Sequence, residues 1–236
     1  NLNLGNNNLK ELPLVGMKNL KSLQRLNLSN NKLEDHEAIH EWIGELNLKK
    51  LDLSGNNLKE LPDNIKKSKR KLGELLLNDV KLSKLPRWIG ECTLLTQLCL
   101  EKNELKELPK GIKNLTKLKK LILSENALTK LPTEFESLTD LMELDLSKNK
   151  LKEFPPVIGK LEKLQKLFLQ YNELEGELKA EFGSLKKLKK MNLKNEKSSA
   201  HHLKRLPPSI GELDLLEELD LSNHKLDNLP AEIGQL

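Results

Sequence analysis

The fold is decided by residues 118–138, which read LKKLILSENALTKLPTEFESL, together with residues 141–161, which read LMELDLSKNKLKEFPPVIGKL. Both stretches carry leucine at their first, fourth and sixth positions, asparagine at the ninth and proline at the fifteenth. A partial copy opens the chain, and complete copies then start at Leu23, Leu48, Leu72, Leu95, Leu118, Leu141, Leu164, Leu188 and Leu216. Because the positions between the leucines vary, the chain is a series of about ten structural repeats and not a low-complexity sequence.

The composition agrees with repetition and excludes several classes of protein. The chain holds 58 leucines in 236 residues, whereas only 3% of its residues are aromatic. Two cysteines argue against the disulfide framework of a small secreted domain, and no apolar run approaches the ~18 residues of a membrane-spanning helix. The net charge of +5 is a mild excess that does not indicate a nucleic-acid partner. We therefore expect a cytoplasmic protein without a membrane span.

Each repeat has the pattern of one short strand followed by a return segment. Leucines at alternate positions predict a strand with one buried face, and the asparagine that follows can bond to backbone groups of neighbouring coils. The proline fixes the backbone φ angle and removes a hydrogen-bond donor, so the return segment has room for only a short 3₁₀ or helical turn. Since no single repeat buries its own leucines, stacking of the repeats must supply the core.

The line LxxLxLxxNxLxxLPxxIGxL resembles the leucine-rich repeat of the short 23-residue class. That class occurs in Ras-associated scaffold proteins, plant intracellular Ras-group repeat proteins and bacterial repeat proteins. The resemblance implies an α/β solenoid of horseshoe shape, with a parallel sheet on the concave face and short 3₁₀, helical or extended segments on the convex face. It covers residues 1–236 as a single domain. Since neither end shows a polar capping unit, we expect a segment of a longer protein.

Some repeats depart from this common sequence pattern. Residues 33–44 lack the proline and are predicted to form a helical turn or two. Residues 174–178, which read LEGEL, resemble the plant-type variant of the repeat. The repeat that starts at Leu188 is longer by about five residues around 196–202, and such insertions favour an exposed loop.

Three repeats lack the asparagine. Val80, Glu196 and His224 stand at its position. We expect the asparagine hydrogen bonds to be weakest in those coils, because none of these side chains carries an amide.

A possible metal motif lies early in the chain. Residues 36–40 read HEAIH, the H-E-x-x-H pattern in which two histidines hold zinc and the glutamate acts as a base. The longer metalloprotease pattern needs Gly at 43 and His at 46, where this chain has Ile43 and Leu46. The convex face of a solenoid also lacks a cleft. We interpret the pattern as a variable outer segment, and the sequence leaves open whether it ever binds a metal.

One column of residues is predicted to face the concave surface, namely the residue between the last two leucines of each strand. This column reads Asn3, Asn27, Asp52, Leu76, Cys99, Ile122, Asp145, Phe168, Asn192 and Asp220. Its ends are polar and its middle is apolar, although these side chains do not contribute to the leucine core. We therefore predict a partner-binding patch of Leu76, Cys99, Ile122 and Phe168, with Tyr171 at its edge and Asp145 pairing with a basic partner residue. The predicted polar rim consists of Glu74, Gln97, Glu101 and Lys120.

The remaining candidate functional residues are the two cysteines and the two tryptophans. Cys92 is placed on the return path and Cys99 on the concave face, so the two should be free thiols. Trp42 and Trp88 precede the Ile-Gly of their repeats. We predict that they are exposed or half-packed on the outer side, as a second contact region.

The expected function is binding and not catalysis, with no catalytic residue, cofactor or metal. By resemblance, such a module binds a protein partner in intracellular signalling or scaffolding, on a surface whose side chains are fixed by folding. Two alternatives stay open: a secreted or surface bacterial or parasite effector that binds a host protein, and a regulatory arm of a larger enzyme or immune receptor. The sequence specifies neither the partner nor the oligomeric state.

Overall fold

A computed structural model of the chain describes residues 1–34 and 42–236. Within them the strands are β1 (Leu2–Asn3), β2 (Arg25–Asn27), β3 (Lys50–Asp52), β4 (Glu74–Leu76), β5 (Gln97–Cys99), β6 (Lys120–Ile122), β7 (Glu143–Asp145), β8 (Lys166–Phe168), β9 (Gly176–Glu177), β10 (Lys190–Asn192), β11 (Leu203–Arg205) and β12 (Glu218–Asp220). Ten of them form one parallel sheet in chain order, while β9 and β11 pair separately. The predicted solenoid with one sheet strand per repeat is confirmed.

The return segments hold short helices. A helix α1 spans Leu14–Lys18, and 3₁₀ helices span Ile43–Glu45, Asp63–Ser68, Arg87–Glu91, Lys110–Asn114, Thr133–Ser137, Pro156–Lys160, Ala180–Ser184, Pro208–Glu212 and Ala231–Gln235. In most repeats a proline stands directly before the 3₁₀ helix, as Pro109 precedes Lys110–Asn114. A proline there costs no helical hydrogen bond, because that N–H has no acceptor inside the helix. The prediction of short 3₁₀ turns is therefore confirmed, whereas most of the turn expected at 33–44 lies outside the described residues.

The leucines of the strands and of the return segments form one continuous core along the solenoid. Leucines of the central coils, such as Leu121 and Leu144, are fully buried between two neighbouring coils. Leu2 and Leu219 are only partly buried, since each packs against one neighbouring coil. Apolar burial that depends on both neighbours is what makes the stability of a solenoid a property of adjacent repeats.

The glycine of the Ile-Gly pair allows neighbouring 3₁₀ helices to approach closely. A Cβ atom added at Gly90 would lie 2.4 Å from the carbonyl oxygen of Gly111 in the next coil. At Gly234 the same position is open, with nothing within 4 Å. The glycine is therefore a packing requirement at Gly90, whereas Lys66, Lys113 and Glu136 hold the same repeat position in other coils.

The tryptophans are not surface residues, so that prediction is wrong. Trp42 is 1% exposed and Trp88 is 7% exposed, both within the core. The Trp88 Nε1–H donates a hydrogen bond to Asp63 Oδ1 of the preceding coil, at 3.0 Å. The large ring fills space between coils, and its only polar atom has a partner, so no contact region is left there.

The predicted asparagine hydrogen bonds are present. Asn149 Nδ2 donates to the carbonyl of Leu123 in the preceding coil at 2.9 Å and to the carbonyl of Leu146 in its own coil at 3.0 Å. Its Oδ1 accepts from the N–H of Leu128 in the preceding coil at 3.0 Å. The same set of bonds recurs at Asn31, Asn56, Asn103, Asn126 and Asn172. Each amide thus satisfies backbone groups that stacking would otherwise bury unpaired.

The three replacements of this asparagine differ in outcome. Val80 is fully buried and has no polar side-chain atom, and Glu196 is exposed. His224, in contrast, bonds to the preceding coil through both ring nitrogens, with Nε2 2.7 Å from the Leu193 carbonyl and Nδ1 accepting from the Leu203 N–H at 3.2 Å. The expectation of a weak coil at His224 is therefore wrong, because imidazole offers one donor and one acceptor as an amide does.

The LEGEL stretch and the insertion form a local structure of their own. The LEGEL stretch supplies β9, where Gly176 has a φ of +82° that a glycine adopts without strain. The Gly176 N–H donates to the His202 carbonyl at 3.1 Å, which ties β9 to the end of the insertion. Of the inserted residues, Glu196 to Ser198 are exposed, as predicted, whereas His202 is buried.

Candidate partner-binding site

The predicted concave column is a continuous row in the structure. The parallel register pairs Leu76 with Cys99, Cys99 with Ile122, Ile122 with Asp145 and Asp145 with Phe168. With strands ~4.8 Å apart, the row from Leu76 to Phe168 is about 19 Å long. We refer to Leu76, Cys99, Ile122 and Phe168 as the apolar row.

The members of the apolar row are not equally accessible. Leu76, Ile122 and Phe168 are half-buried, whereas Cys99 is only 4% exposed. The small thiol lies between the larger Leu76 and Ile122 side chains, and its Sγ accepts from Gln97 Nε2 at 3.2 Å. Cys99 therefore forms the floor of the row, while the larger residues form its surface.

Both cysteines are free and buried. Burial raises the pKa of the Cys92 thiol to about 11, with a further contribution from the Glu91 carboxylate. Burial also raises the pKa of Cys99, against the hydrogen bond from Gln97. Thiols held protonated in this way are poor nucleophiles and poor metal ligands.

The polar residues of the column have a structural role that the sequence reasoning missed. Each uses its side-chain Oδ1 to accept a hydrogen bond from the backbone N–H two residues later, as Asp145 does from Ser147 at 2.9 Å. The same local bond is made by Asn3, Asn27, Asp52, Asn192 and Asp220. This arrangement is an Asx turn, and it satisfies the backbone where the strand ends. The recurring Asn or Asp followed two residues later by Ser was the available signal.

The residues of the apolar row cannot form an Asx turn, because their side chains carry no oxygen acceptor. Leu76 and Cys99 are followed by N–H groups that use the previous coil instead: Asn78 N–H donates to Ser54 Oγ at 3.2 Å, and Glu101 N–H to Asn78 Oδ1 at 2.9 Å. After Ile122 and Phe168, the N–H groups of Ser124 and Gln170 have no such side-chain acceptor among the described residues. Buried Ser124 Oγ and Gln170 Oε1 also lack hydrogen-bond partners there. The central coils thus have apolar side chains where polar ones would help folding.

The rim beside the apolar row is largely neutralised by its own ion pairs. Lys50 Nζ lies 2.6 Å from Glu74 Oε2, and Lys120 Nζ lies 2.8 Å from Glu143 Oε1. The hydrogen bond to Glu143 raises the pKa of Lys120. Glu74 and Lys120, two of the predicted rim residues, are therefore already paired with a neighbouring strand.

The opposite side of the row repeats this arrangement. Lys102 Nζ lies 2.6 Å from Asp79 Oδ2, and Lys148 Nζ lies 2.6 Å from Glu125 Oε1. Hydrogen bonds to the two carboxylates raise the pKa of both lysines. Of the other two predicted rim residues, Glu101 is exposed and Gln97 is half-buried.

Tyr171 stands at the edge of the concave face. Its φ is +59°, the left-handed conformation that Lys102, Glu125 and Lys148 adopt at the same position of their coils. The half-buried ring lines an open groove of about 370 Å³ together with residues of the insertion, including Ser198, Ser199 and His201. Tyr171 thus links the apolar row to the inserted segment.

Membrane spans and metal-binding clusters are both absent from residues 1–34 and 42–236. No helix there is both long and apolar enough to cross a bilayer. In the same residues, no three His, Cys, Asp or Glu side chains are grouped so that they could hold a metal ion. The H-E-x-x-H pattern at 36–40 lies outside the described residues.

Sequence comparison identifies the repeats. A family model described as a leucine-rich repeat region matches residues 110–206, and a leucine-rich repeat model matches residues 22–46 and 47–68. No curated protein matches the chain significantly.

Several solved structures are similar over nearly the whole chain. A leucine-rich repeat protein of Leptospira interrogans is 32% identical, with a TM-score of 0.64, over 98% of this chain and 68% of its own. The plant peptide hormone receptor RGFR1, solved with RGF2, is 31% identical, with a TM-score of 0.80, over 100% of this chain and 42% of its own. The ectodomain of the receptor kinase GASSHO1/SCHENGEN3 from Arabidopsis thaliana, solved with CASPARIAN STRIP INTEGRITY FACTOR 2, is 30% identical, with a TM-score of 0.69, over 96% and 30%. The chain therefore spans less than half of either plant receptor.

Proposed function

The chain belongs to the leucine-rich repeat family, and we propose that it is a protein-binding module whose partner docks on the concave face. It acts by presenting a fixed surface, so that little conformational entropy is lost on binding. The proposed site is the apolar row with Asp145 and Tyr171, bordered by Glu74, Gln97, Glu101 and Lys120. The plant receptors that resemble this chain were solved with their peptide or protein ligands, which supports a binding role.

The apolar row carries the proposal. Six other coils place Asn or Asp in this column and gain a backbone hydrogen bond from it. Such a bond stabilises a protein by about 0.5–1.5 kcal/mol. The coils of Ile122 and Phe168 lack that bond at half-buried residues of the concave face, and binding gives a reason for the exchange where folding does not.

The charges favour a partner with an apolar docking segment. The ion pairs of Glu74 and Lys120 neutralise two of the charged groups beside the row. A partner that brought only charged groups would have to compete with these pairs, whereas apolar side chains would cover Ile122 and Phe168 directly. Asp145 remains available for one basic residue through its second carboxylate oxygen, since Oδ1 is engaged by Ser147.

Affinity capture tests this proposal with three baits: the unchanged protein, Phe168→Asn and Leu94→Ala. Leu94 is a 37% exposed leucine outside the apolar row, so its variant controls for the loss of any exposed apolar side chain. We expect a protein or peptide that the unchanged bait and Leu94→Ala retain and Phe168→Asn loses. Equal recovery on all three baits would reject the concave site.

For the cellular setting we propose intracellular signalling or scaffolding, with two free cysteines as support. The similarity to the plant receptor ectodomain favours a second candidate, a surface or secreted binding module. Fractionation of the source cells, with detection of the native protein by antibody, separates the two. Recovery in the cytosol supports the first setting, and recovery at the cell surface or in the medium supports the second.

A further inference from the structure

His224 replaces asparagine in the last repeat and makes both inter-coil bonds of that asparagine. Its Nε2 lies 2.7 Å from the carbonyl oxygen of Leu193, and its Nδ1 lies 3.2 Å from the backbone nitrogen of Leu203. Once the insertion is set aside, Leu193 and Leu203 hold the repeat positions that Asn149 contacts in its own preceding coil. His224 therefore makes the inter-coil hydrogen bonds of the asparagines with a side chain that can be protonated.

The two partners fix the protonation state of the ring. A carbonyl oxygen only accepts, so the Nε2 that faces Leu193 carries the hydrogen. A backbone N–H only donates, so the Nδ1 that faces Leu203 carries the lone pair. The neutral ring satisfies both groups. An imidazolium would place a second N–H against the Leu203 N–H and lose that bond.

The surroundings of the ring favour the neutral form. Burial lowers the pKa of His224 below its ordinary value of 6.5, and positive charge on His202 of the preceding coil lowers it further. The hydrogen bond to the Leu193 carbonyl and the carboxylate of Asp220, in the same coil as His224, act in the opposite direction. Within the described residues, His202 and Asp220 are the ionisable groups that act on the ring.

The Leu203 N–H lies at a junction of β11, β9 and the coil of His224. Leu203 begins β11, which pairs with β9 in the separate two-stranded sheet. The coil of His224 also bonds to the preceding coil through Asn223 Nδ2, which donates to the Asn195 carbonyl at 2.9 Å. The His224 bond therefore ties the last coil to the start of β11.

We propose that His224 is a pH-sensitive link between the last two coils, closed by the neutral imidazole and opened at Leu203 when the imidazole is protonated. The folded junction binds the neutral form, so the unfolded chain takes up the proton more readily. The contribution of this link to stability is therefore complete above the ordinary pKa of 6.5 and is lost as the pH falls below that value. This property is independent of the proposed partner site.

Amide hydrogen exchange followed by NMR on the whole chain tests the link at about pH 7.5 and about pH 5, on either side of the histidine range. After correction for intrinsic exchange rates, we expect protection of the Leu203 amide to fall at least about tenfold at the lower pH, as in local opening. The Leu128 amide, which donates to Asn149 Oδ1, is the internal control and should keep its protection. An unchanged Leu203 amide, or an equal fall at Leu128, would overturn the proposal.

Two variants identify the titrating group. His224→Asn restores the residue of the other coils, so Leu203 protection should become independent of pH. His202→Gln should retain the pH-dependent fall. The proposal fails if His224→Asn keeps the fall or if His202→Gln abolishes it. In the unchanged protein, the fall must have the same midpoint as the NMR titration of the His224 ring, and a different midpoint would also reject the link.

Discussion

Asp145 and Phe168 lie side by side on neighbouring parallel strands, yet only Asp145 bonds to its own backbone. The two residues hold the same position of the repeat and face the same concave surface. Asp145 caps the end of β7 by accepting from the Ser147 N–H, whereas the phenyl ring of Phe168 has no acceptor to offer. The contrast separates a residue that serves folding from one that folding does not require.

The first prediction concerns Phe168→Asn. The new side chain can accept from the Gln170 N–H as its equivalents do, which offsets the lost contacts of a half-buried ring. We expect the free energy of unfolding to change by less than about 1 kcal/mol, measured by urea denaturation. A loss above about 2 kcal/mol would mean that Phe168 is a core residue.

The matched control is Leu167→Ala, one position away on the buried side of β8. Leu167 is fully buried, and such truncations cost ~2–5 kcal/mol because a cavity remains. If this variant were as stable as the unchanged protein while Phe168→Asn unfolded readily, the inside and outside of the strand would be reversed.

The second prediction concerns the asparagine ladder. Asn149→Ala leaves the buried Leu128 N–H without its acceptor, whereas the carbonyls of Leu123 and Leu146 keep Asn126 and Asn172 as donors. An unsatisfied buried group costs about 1–3 kcal/mol, so we expect a loss of that size in the free energy of unfolding, measured by urea denaturation. Exposed Asn47 accepts from Lys71 at 2.7 Å, and Asn47→Ala should change stability by less than about 0.5 kcal/mol. Similar values for the two variants would contradict the role of the ladder.

The third prediction concerns the close approach of neighbouring 3₁₀ helices. Gly90→Ala places a methyl group 2.4 Å from the Gly111 carbonyl oxygen, and such overpacking costs ~1–3 kcal/mol. The control is Gly73→Ala, whose added Cβ would lie 3.6 Å from its nearest neighbour, the Lys49 carbonyl oxygen, and which should change stability by less than about 1 kcal/mol. Thermal unfolding of the two variants measures the difference, and equal melting temperatures would rule out the steric requirement.

The fourth prediction concerns the thiols. Burial raises the pKa of Cys92 to about 11 and raises that of Cys99 as well. We expect both thiols to resist alkylation at neutral pH in the folded protein. The unfolded, non-reduced protein should then show two reactive thiols, as both are free. Fewer than two after unfolding would indicate a disulfide.

The register of the sheet could be predicted because leucine spacing alone determines which residues stand side by side. Once Leu98 and Leu121 align, Cys99 and Ile122 must align too. Accessibility within that row could not be predicted, since Cys99 is covered by larger neighbours that belong to other coils. The burial of Trp88 could not be predicted either, because its Nε1–H has its acceptor, Asp63, in the preceding coil.

The chemistry of single positions was harder to predict than the fold. The sequence shows only that His224 stands where other repeats have asparagine. The structure was needed to show that its two ring nitrogens bond to the backbone groups that the asparagine contacts in other coils. The role of Asp145 was likewise hidden, because an Asx turn depends on the conformation of the two residues that follow. Both effects are local hydrogen bonds, which residue type alone does not specify.

The binding site is tested most directly by the affinity of the captured partner, purified and titrated by calorimetry, for the unchanged protein, Phe168→Asn and Leu94→Ala. If the apolar row anchors the partner, Phe168→Asn weakens binding by at least about 30-fold, which corresponds to ~2 kcal/mol, while its unfolding free energy and the affinity of Leu94→Ala stay close to those of the unchanged protein. If a folded Phe168→Asn binds the partner as tightly as the unchanged protein does, the partner does not dock on the apolar row.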